Sequence, residues 1–283
     1  MSAQSHTHTH VARRYGPSAL GDDLRRFVNL TLTLAVTDFK LRYFGSFLGY
    51  LWSLMRPLLF FGVLYVVFTQ VVKLGAEVPN YPVYLLESIV IWTYFAETTT
   101  TSVRSLVDRE NLLRKIRFPR LVIPLAVSLT AMFNLGLNLM AVVIFALLSG
   151  IEPTIGWLEV PFLVLFIGFF ATGVSMLLSA LFVRFRDLQP IWDVSLQVLF
   201  YGSPILFVAA KYPDNWERIL MCNPIAVVLT QMRKAVIQPS APSAAEMIGG
   251  APRLLIPLGI IVAVFALGYW VFNREAPRIA ENL

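Results

Sequence analysis

Charged residues are scarce in this chain of 283 residues, and several long stretches contain none. No charge occurs between Arg120 and Glu152. At about 1.5 Å per helical residue, this interval exceeds the ~30 Å hydrocarbon core of a bilayer. Further stretches without a charge lie at 160–183, 194–210 and 254–273, and the segments 45–72 and 82–103 carry only isolated charges. Helices that are apolar on every face over such lengths are excluded from soluble folds. The sequence therefore predicts an all-α protein with several membrane spans.

Other absences narrow the function. The single cysteine, Cys222, excludes a disulfide within the chain. No lysine follows a glycine, so the chain has no P-loop and is predicted to carry no nucleotide site, cofactor or metal of its own. No catalytic residue is predicted, since carboxylates and histidines do not cluster at one membrane face. An integral membrane enzyme acting on a lipid-linked sugar and a proton-coupled secondary transporter remain alternatives, although the absence of an internal repeat disfavours the transporter.

The first residues lack the apolar core and the cleavage site of a signal peptide. Residues 1–19 are instead predicted to form a disordered cytoplasmic leader rich in Ser, Thr and Gln. His6, His8 and His10 alternate within it, and a metal-binding tail is the alternative interpretation of these three residues.

Basic residues are distributed unevenly, so the net charge of +6 indicates membrane topology and not nucleic-acid binding. Most of them precede the first span or lie between the second and third spans: Arg13, Arg14, Arg25, Arg26, Lys40, Arg42, Arg104, Arg109, Arg114, Lys115, Arg117 and Arg120. The connections at 73–81 and 149–159 contain a single basic residue, Lys73. The positive-inside rule then predicts six spans in the cytoplasmic (inner) membrane, with both termini in the cytoplasm.

Residues 20–45 carry a polar stripe that predicts an amphipathic helix in the cytoplasmic interface. Its members recur every three or four residues: Asp22, Arg26, Asn29, Thr33, Thr37 and Lys40. On an adjacent face of this helix lie Leu24, Val28, Leu32, Ala35 and Phe39. A strand is the alternative, because residues 30–34 alternate between Leu and Thr, but a lone strand would leave its edges unpaired.

Residues 204–240 are predicted to form a re-entrant region between spans five and six. Pro204 should break span five, and Asn223 with Pro224 provides a helix cap followed by proline at the first helical position. The new helix should run to about Ile237, and its length of roughly 21 Å is too short to cross a membrane. An amphipathic helix resting on the outer surface is the alternative.

Four polar residues interrupt the apolar spans. Glu87 and Glu97 lie in span two, where a charge is expensive and usually functional. Snorkelling to the nearer membrane surface is the alternative for each. Asn134 and Asn138 share a face of span three and are predicted to form hydrogen bonds between helices.

Several spaced motifs, in order, resemble ABC-2 type permeases that export polysaccharide, O antigen or teichoic acid. The first runs from Leu34 to Trp52 and ends at Arg56-Pro57-Leu58. The others are Asn111 to Arg120, Arg186-Asp187-Leu188 with Trp192, Ser203-Pro204-Ile205, Asn223-Pro224, and Arg233-Lys234-Ala235-Val236. Together the resemblance covers roughly residues 20–275.

The resemblance implies a homodimeric permease whose transmembrane domain comprises residues 46–283. It implies six spans per subunit, an N-terminal interface helix at 20–45, and re-entrant helices whose gate residues are Pro204, Asn223 and Pro224. It also implies two copies of a separate ATPase subunit, which would bind ATP and Mg. The expected substrate is a lipid-linked glycan among membrane lipids, whose sugar the sequence does not specify. An ABC-2 exporter of a small lipid or drug is the alternative.

A permease without a nucleotide site must receive force from its partner through a rigid cytoplasmic projection. Residues 104–117 suit this role, because apolar residues among cations can anchor in a partner's groove, and Phe118-Pro119 should end the helix. The predicted coupling residues are Leu106, Arg109, Leu112, Leu113, Lys115 and Ile116. An ordinary positively charged loop is the alternative.

The substrate path is predicted along spans one and five, which are rich in aromatic residues. Sugar rings have C–H faces that stack on aromatic planes without a fixed hydrogen-bond register, which suits a sliding polymer. The predicted path residues are Tyr65, Phe68, Trp92, Phe200 and Tyr201. Packing or lipid-facing positions are the alternative for each of them.

Overall fold

The computed structural model describes residues 24–43, 47–73, 78–115, 118–209 and 213–282, and these residues contain helices and no strand. The predicted all-α class is therefore confirmed for the described part of the chain. The predicted leader, with its three alternating histidines, lies outside the described residues, as does Asp22 of the polar stripe.

We number the α-helices of the described residues in chain order. They are α1 (Leu24–Tyr43), α2 (Phe47–Val66), α3 (Tyr81–Arg104), α4 (Glu110–Lys115), α5 (Val122–Leu148), α6 (Val160–Phe182), α7 (Leu188–Tyr201), α8 (Asp214–Leu220), α9 (Pro224–Met232), α10 (Ala244–Ile248) and α11 (Leu255–Asn282). A π-helical turn extends α2 over Val67–Val71, and another extends α9 over Arg233–Ile237. Short 3-10 helices precede α6 (Ile155–Glu159) and α11 (Ala251–Leu254).

Among the described residues, four helical segments are long and apolar enough to cross a membrane. They are Leu51–Val71, Val122–Leu148, Ile155–Phe182 and Ala251–Ala276. The two other predicted spans correspond to α3 and α7. Helix α3 has 24 residues but includes two glutamates and a run of four threonines. Helix α7 has 14 residues and is only about 21 Å long. The prediction of six spans therefore rests on α3 and α7 and stays a prediction.

Helix α1 confirms helix over strand for residues 24–43, and its packed face includes Ala35 and Phe39 from the predicted apolar face but not the other three residues of that face. Its polar stripe is exposed, as expected. Leu24, Val28 and Leu32 are also exposed, whereas Phe27 and Ala35 are buried. The side of α1 that packs against α5 therefore contains fewer large apolar side chains than the sequence predicts. The side chains of Leu24, Val28 and Leu32 lie on the exposed side.

Helix α3 lies at the centre of the bundle and packs against α2, α5, α6 and α7. Seventeen of its 24 residues are buried, including both polar and aromatic side chains. Because α3 is surrounded by protein, its polar residues do not have to face lipid.

Helices α6 and α11 pack closely against each other, and two glycines permit this close approach. A Cβ atom on Gly173 would lie 2.8 Å from the Cα atom of Phe265, and a Cβ atom on Gly268 would collide with the carbonyl oxygen of Gly173. Small residues let helix backbones approach closely in a membrane, where packing replaces the hydrophobic effect as the source of association. This contact fixes the last helix against the core.

Candidate translocation path and coupling segment

The chain breaks after α7 and continues as buried, irregular backbone. Helix α7 ends at Tyr201, as Pro204 predicts, and the side chains of Ser203, Pro204 and Ile205 are buried. Non-helical backbone at membrane depth requires internal hydrogen-bond partners. Two tyrosines at the start of α3, Tyr81 and Tyr84, provide such hydrogen-bond partners.

Tyr81 donates a hydrogen bond to the carbonyl oxygen of Leu206 at 2.9 Å. The hydroxyl of Tyr84 is directed at the carbonyl oxygens of Pro204 and Phe207, the latter at 3.2 Å. On its other side, the Tyr84 ring lies 5.9 Å from the guanidinium carbon of Arg233. Tyr84 therefore connects the broken end of α7 to the segment that follows α9.

The three residues predicted to form a re-entrant gate are brought together by the fold. Asn223 caps α9 by accepting a hydrogen bond from the Ile225 amide at 3.0 Å, and its Nδ2 atom donates to Ser203 Oγ at 2.9 Å, next to Pro204. Every residue from Pro224 to Thr230 is buried. An amphipathic helix on the outer surface would leave one face exposed, so this arrangement does not fit that alternative.

The segment after α9 is held by the turn that precedes α6. A Cβ atom on Gly156 would lie 2.7 Å from the Ala235 carbonyl oxygen, so only glycine allows this approach. Gln231 Nε2 donates to Glu159 Oε2 at 2.6 Å. Nearby, the hydrogen bond from the Ser243 amide, reinforced by Lys234, lowers the pKa of Glu246. These contacts tie α9 and α10 to α6.

Aromatic rings form a continuous chain of contacts from α2 through α7 and α3 to α6. The ring centroid of Phe200 lies 6.1 Å from that of Phe60 and 5.5 Å from that of Trp92. Trp92 contacts Phe95 at 6.0 Å. Phe95 stacks on Phe170 of α6 at 5.3 Å. The spacing matches that of favourable aromatic pairs.

The predicted path residues occupy different positions along this chain. Trp92 is buried, Phe200 is half-buried, and Tyr201 is exposed and contacts Phe200 at 5.2 Å. Tyr65 instead stacks on Phe61 of its own helix at 5.6 Å. Phe68 is half-buried in the π-helical turn. The fold therefore groups three of the five residues and leaves Tyr65 and Phe68 on α2.

A polar stripe that the sequence-based predictions do not include runs along α7. Asp193, Gln197 and Tyr201 recur every four residues and are all exposed, next to Val194 and Val198, which are exposed as well. Only Leu196 of α7 is buried. The spacing of four is present in the sequence, but the surrounding apolar residues predict an apolar span there. Exposed polar groups are unfavourable against hydrocarbon, so this stripe requires water, sugar or protein beside it.

The two glutamates of α3 have opposite environments. Glu87 is 2% exposed, and neither carboxylate oxygen has a hydrogen-bond partner within the described residues. Glu97 forms an ion pair with Arg42 and accepts a hydrogen bond from Asn134 Nδ2 at 3.2 Å. Snorkelling is therefore wrong for Glu87, which is enclosed by protein, and Glu97 is fixed by its partners.

The asparagine prediction is confirmed for Asn134 and wrong for Asn138. Asn134 joins α5 to α3 through Glu97. Asn138 Nδ2 instead donates to the Asn134 carbonyl oxygen at 2.9 Å, within its own helix. An amide one turn further along the same face is out of reach of Glu97 and turns back to its own backbone.

The predicted coupling helix at 104–117 is shorter in the structure. Helix α3 ends at Arg104, a turn follows at 105–109, and α4 covers only Glu110–Lys115. Leu106 is fully buried against Leu121 and Ile123. The turn forms because Leu106 packs inward and draws the chain back to the bundle.

The other predicted coupling residues lie on or next to α4. Leu112 and Leu113 are half-buried, and Leu113 packs against the same cluster as Leu106. Arg109 forms an ion pair with Asp38 of α1. The Lys115 side chain and Ile116 lie outside the described residues. The segment is thus anchored to the helical bundle through buried side chains, while part of α4 is exposed on the surface of the bundle.

Known proteins are similar in sequence to this chain along most of its length. The model of the ABC-2 type transporter family matches residues 29–237. An O-antigen export system permease protein RfbA from Klebsiella pneumoniae is 31% identical over 256 residues, which cover 90% of this chain and 95% of the relative. The protein of the same name from Myxococcus xanthus is 29% identical over 267 residues, covering 92% and 98%. The polysialic acid transport protein KpsM from Escherichia coli is 22% identical over 197 residues, covering 69% and 76%.

Proposed function

Because the chain belongs to the ABC-2 type transporter family, we propose that it is the transmembrane permease subunit of an ATP-driven exporter that moves a lipid-linked polysaccharide outward across the cytoplasmic membrane. The observation that carries this proposal is the similarity to O-antigen export permeases along nine tenths of the chain. A match of this extent includes the spans, the coupling segment and the region between α7 and α11.

ATP hydrolysis belongs to a separate subunit in this proposal. The sequence has no P-loop, so force has to arrive from a partner. Two copies of an ABC ATPase, which bind ATP and Mg, would dock under a permease homodimer. Helix α4 supports this role, because Leu112 and Leu113 are half-exposed on a short helix that follows the end of α3.

In the membrane, α3 and α7 complete six spans, and both termini lie in the cytoplasm. The burial of α3 within the bundle supports its role as a span despite its glutamates. Helix α1 lies in the cytoplasmic interface with Leu24, Val28 and Leu32 toward lipid. Helix α9 with its π-helical turn is re-entrant, since its irregular ends are enclosed by protein.

The glycan passes along α7 and α2 in the dimer. Tyr201 and the Phe200 ring provide planes on which sugar rings stack, and Asp193 and Gln197 provide hydrogen-bond partners for sugar hydroxyls. The exposed stripe supports this location because its polar groups have no place against lipid. The break in the helix follows directly after Tyr201, which is the last residue of this stripe and of α7.

A deletion experiment tests the function. Cells without this chain should lose the polysaccharide from their surface and accumulate the lipid-linked glycan inside, measured by labelling with a glycan-specific lectin before and after lysis. The intact chain supplied from a plasmid should restore surface labelling. Unchanged surface glycan, or accumulation of a small lipid in place of a glycan, would contradict the proposal.

A further inference from the structure

Two ion pairs connect α1 to the rest of the molecule. Asp38 pairs with Arg109, and Arg42 pairs with Glu97. All four side chains are partly buried: Asp38 and Arg109 are 23% and 22% exposed, Glu97 is 30% and Arg42 is 36% exposed. The two pairs lie one helical turn apart on α1.

The charged residues continue the packed face of α1. Thr31, Ala35, Asp38 and Arg42 follow one another at spacings of four, three and four, which places them on one side of a helix. Thr31 and Ala35 are buried. Thr130 Oγ1 approaches the Ala35 carbonyl oxygen at 3.2 Å. This packing holds the first half of the face against α5.

An aromatic contact extends this packing toward the charged end. The ring of Phe39 meets that of Phe133, also on α5, edge to face with centroids 5.7 Å apart. Phe39 lies between Asp38 and Arg42 in the sequence. The two charges are therefore held in place by their own helix and do not have to be gathered from solvent.

The partners of the two charges lie in two different parts of the chain. Arg109 belongs to the turn that joins α3 to α4, which is the segment we assign to the ATPase contact. Glu97 lies seven residues before the end of α3 and also accepts a hydrogen bond from Asn134 of α5. Helix α1 thus bridges the coupling turn and the core of the bundle.

We propose that α1 is a strut that transmits movement of the coupling turn to α3, and that the two ion pairs set its register. This inference rests on the proposed function. The order of charges on α1 is negative then positive, and its partners carry the opposite order. A slip of α1 by one turn would bring Asp38 beside Glu97, and like charges at such a distance repel. The charge order therefore selects one position of α1.

The partial exposure of the pairs indicates that they position α1 more than they stabilise it. Ion pairs in contact with solvent contribute little to the stability of a fold. An ion pair nevertheless specifies which residues lie side by side. Its attraction is lost when either partner is moved, and it becomes repulsion when the charge of one partner is reversed. The expected defect is consequently a loss of coupling with a largely intact fold.

Charge reversal with rescue tests the strut in the full permease, expressed with its ATPase partner. The single variants Asp38→Arg and Arg109→Asp should each lower surface export by about 5- to 150-fold, the usual range of a lost coupling interaction. The double swap, Asp38→Arg with Arg109→Asp, should recover at least a third of wild-type export. The same cycle applies to Arg42→Glu and Glu97→Arg. Lys40→Glu, on the exposed side of α1, is the control and should export normally.

Two further measurements separate transmission from folding and assembly. The single variants on α1, Asp38→Arg and Arg42→Glu, should keep wild-type amounts of permease in the membrane, copurify with the ATPase and hydrolyse ATP without export. Where a reversal reduces the amount of protein, the neutral variants Asp38→Asn and Arg42→Gln replace it and should show the same uncoupling.

The strut is refuted if the single variants export at the wild-type level, or if the double swaps export no better than the singles at equal amounts of protein. A wild-type permease that copurifies with no ATPase, or exports no glycan, would instead refute the proposed function. The two failures are therefore distinguishable.

Discussion

Residue environment decides what each carboxylate of α3 does, since Glu87 and Glu97 lie ten residues apart in one helix and differ completely in their partners. Glu87 is enclosed without a hydrogen bond, whereas Glu97 is paired with Arg42 and Asn134. A buried polar group without a partner is destabilising by about 1–3 kcal/mol. Removing one partner from a satisfied pair is destabilising for the same reason.

Substitution of each glutamate by methionine should therefore have opposite effects. Glu87→Met should raise the melting temperature of the purified permease in detergent, corresponding to about 1–3 kcal/mol, because an apolar side chain of similar volume suits the site. Glu97→Met should lower it only slightly, corresponding to less than about 1 kcal/mol, because Arg42 and Asn134 lose their partner but the ion pair is partly exposed. A destabilised Glu87→Met variant would indicate that Glu87 has a partner in the assembled transporter.

Tyr201 offers a test of the path at the same scale. Its side chain is 68% exposed, so Tyr201→Ala removes little packing within the subunit. We expect export to fall about tenfold, since losing a stacking ring corresponds to roughly 1–3 kcal/mol per contact, while the amount of permease in the membrane is unchanged. Phe95→Ala is the matched control for packing, because Phe95 is fully buried, and it should reduce the amount of folded protein. Normal export by Tyr201→Ala would exclude this residue from the path.

At the scale of elements, the contact between α6 and α11 depends on glycine at one position and not at another. Gly268 faces the backbone of Gly173, whereas nothing lies within 4 Å of a Cβ atom on Gly259 in the same helix. Gly268→Ala should thus destabilise the permease by about 1–3 kcal/mol through overpacking. Gly259→Ala should be neutral or stabilising by up to about 1 kcal/mol, because alanine favours helix.

Thermal unfolding of the two alanine variants, followed by near-ultraviolet circular dichroism, measures this difference. Equal melting temperatures for Gly268→Ala and Gly259→Ala would contradict the close approach of α6 and α11. The pair is well matched, since both substitutions add the same methyl group to the interior of one helix.

Local signals predicted the ends of elements better than their packed faces. The start of α9 and the end of α7 were predictable because Asn223, Pro224 and Pro204 act on their own backbone. The packed face of α1 was not, because in a membrane protein both lipid and protein accept apolar side chains. Small and polar residues such as Thr31 and Ala35, not Leu24, mark the face where helices meet.

Contacts that join distant parts of the chain were beyond the sequence for a different reason. Glu97 was recognised as unusual from its position in an apolar segment, but its partner Arg42 is 55 residues away. Arg109 was assigned to the ATPase contact because it lies among other cations, and only the fold shows that it pairs with Asp38. The sequence therefore identifies Glu97 and Arg109 as unusual residues, but their partners become known only when α1 packs on α5.

For the whole molecule, six spans predict which connections face outward. Cys222→Ser gives a background without cysteine. In it, a cysteine replacing Glu152, which is exposed between α5 and α6, should react with an impermeant maleimide added to intact cells. A cysteine replacing Asp108, which is exposed in the coupling turn, should react only after lysis. Labelling of position 108 in intact cells would contradict the topology.

The central claim is that this chain exports a glycan with energy from a partner ATPase, and transport into inside-out vesicles tests it most directly. Vesicles that contain the permease and its ATPase should move radiolabelled lipid-linked glycan into the lumen when ATP is added. They should fail to do so with a non-hydrolysable ATP analogue, and collapse of the proton gradient by an uncoupler should leave transport unchanged. Transport driven by a proton gradient without ATP, or uptake that does not require this chain, would contradict the account.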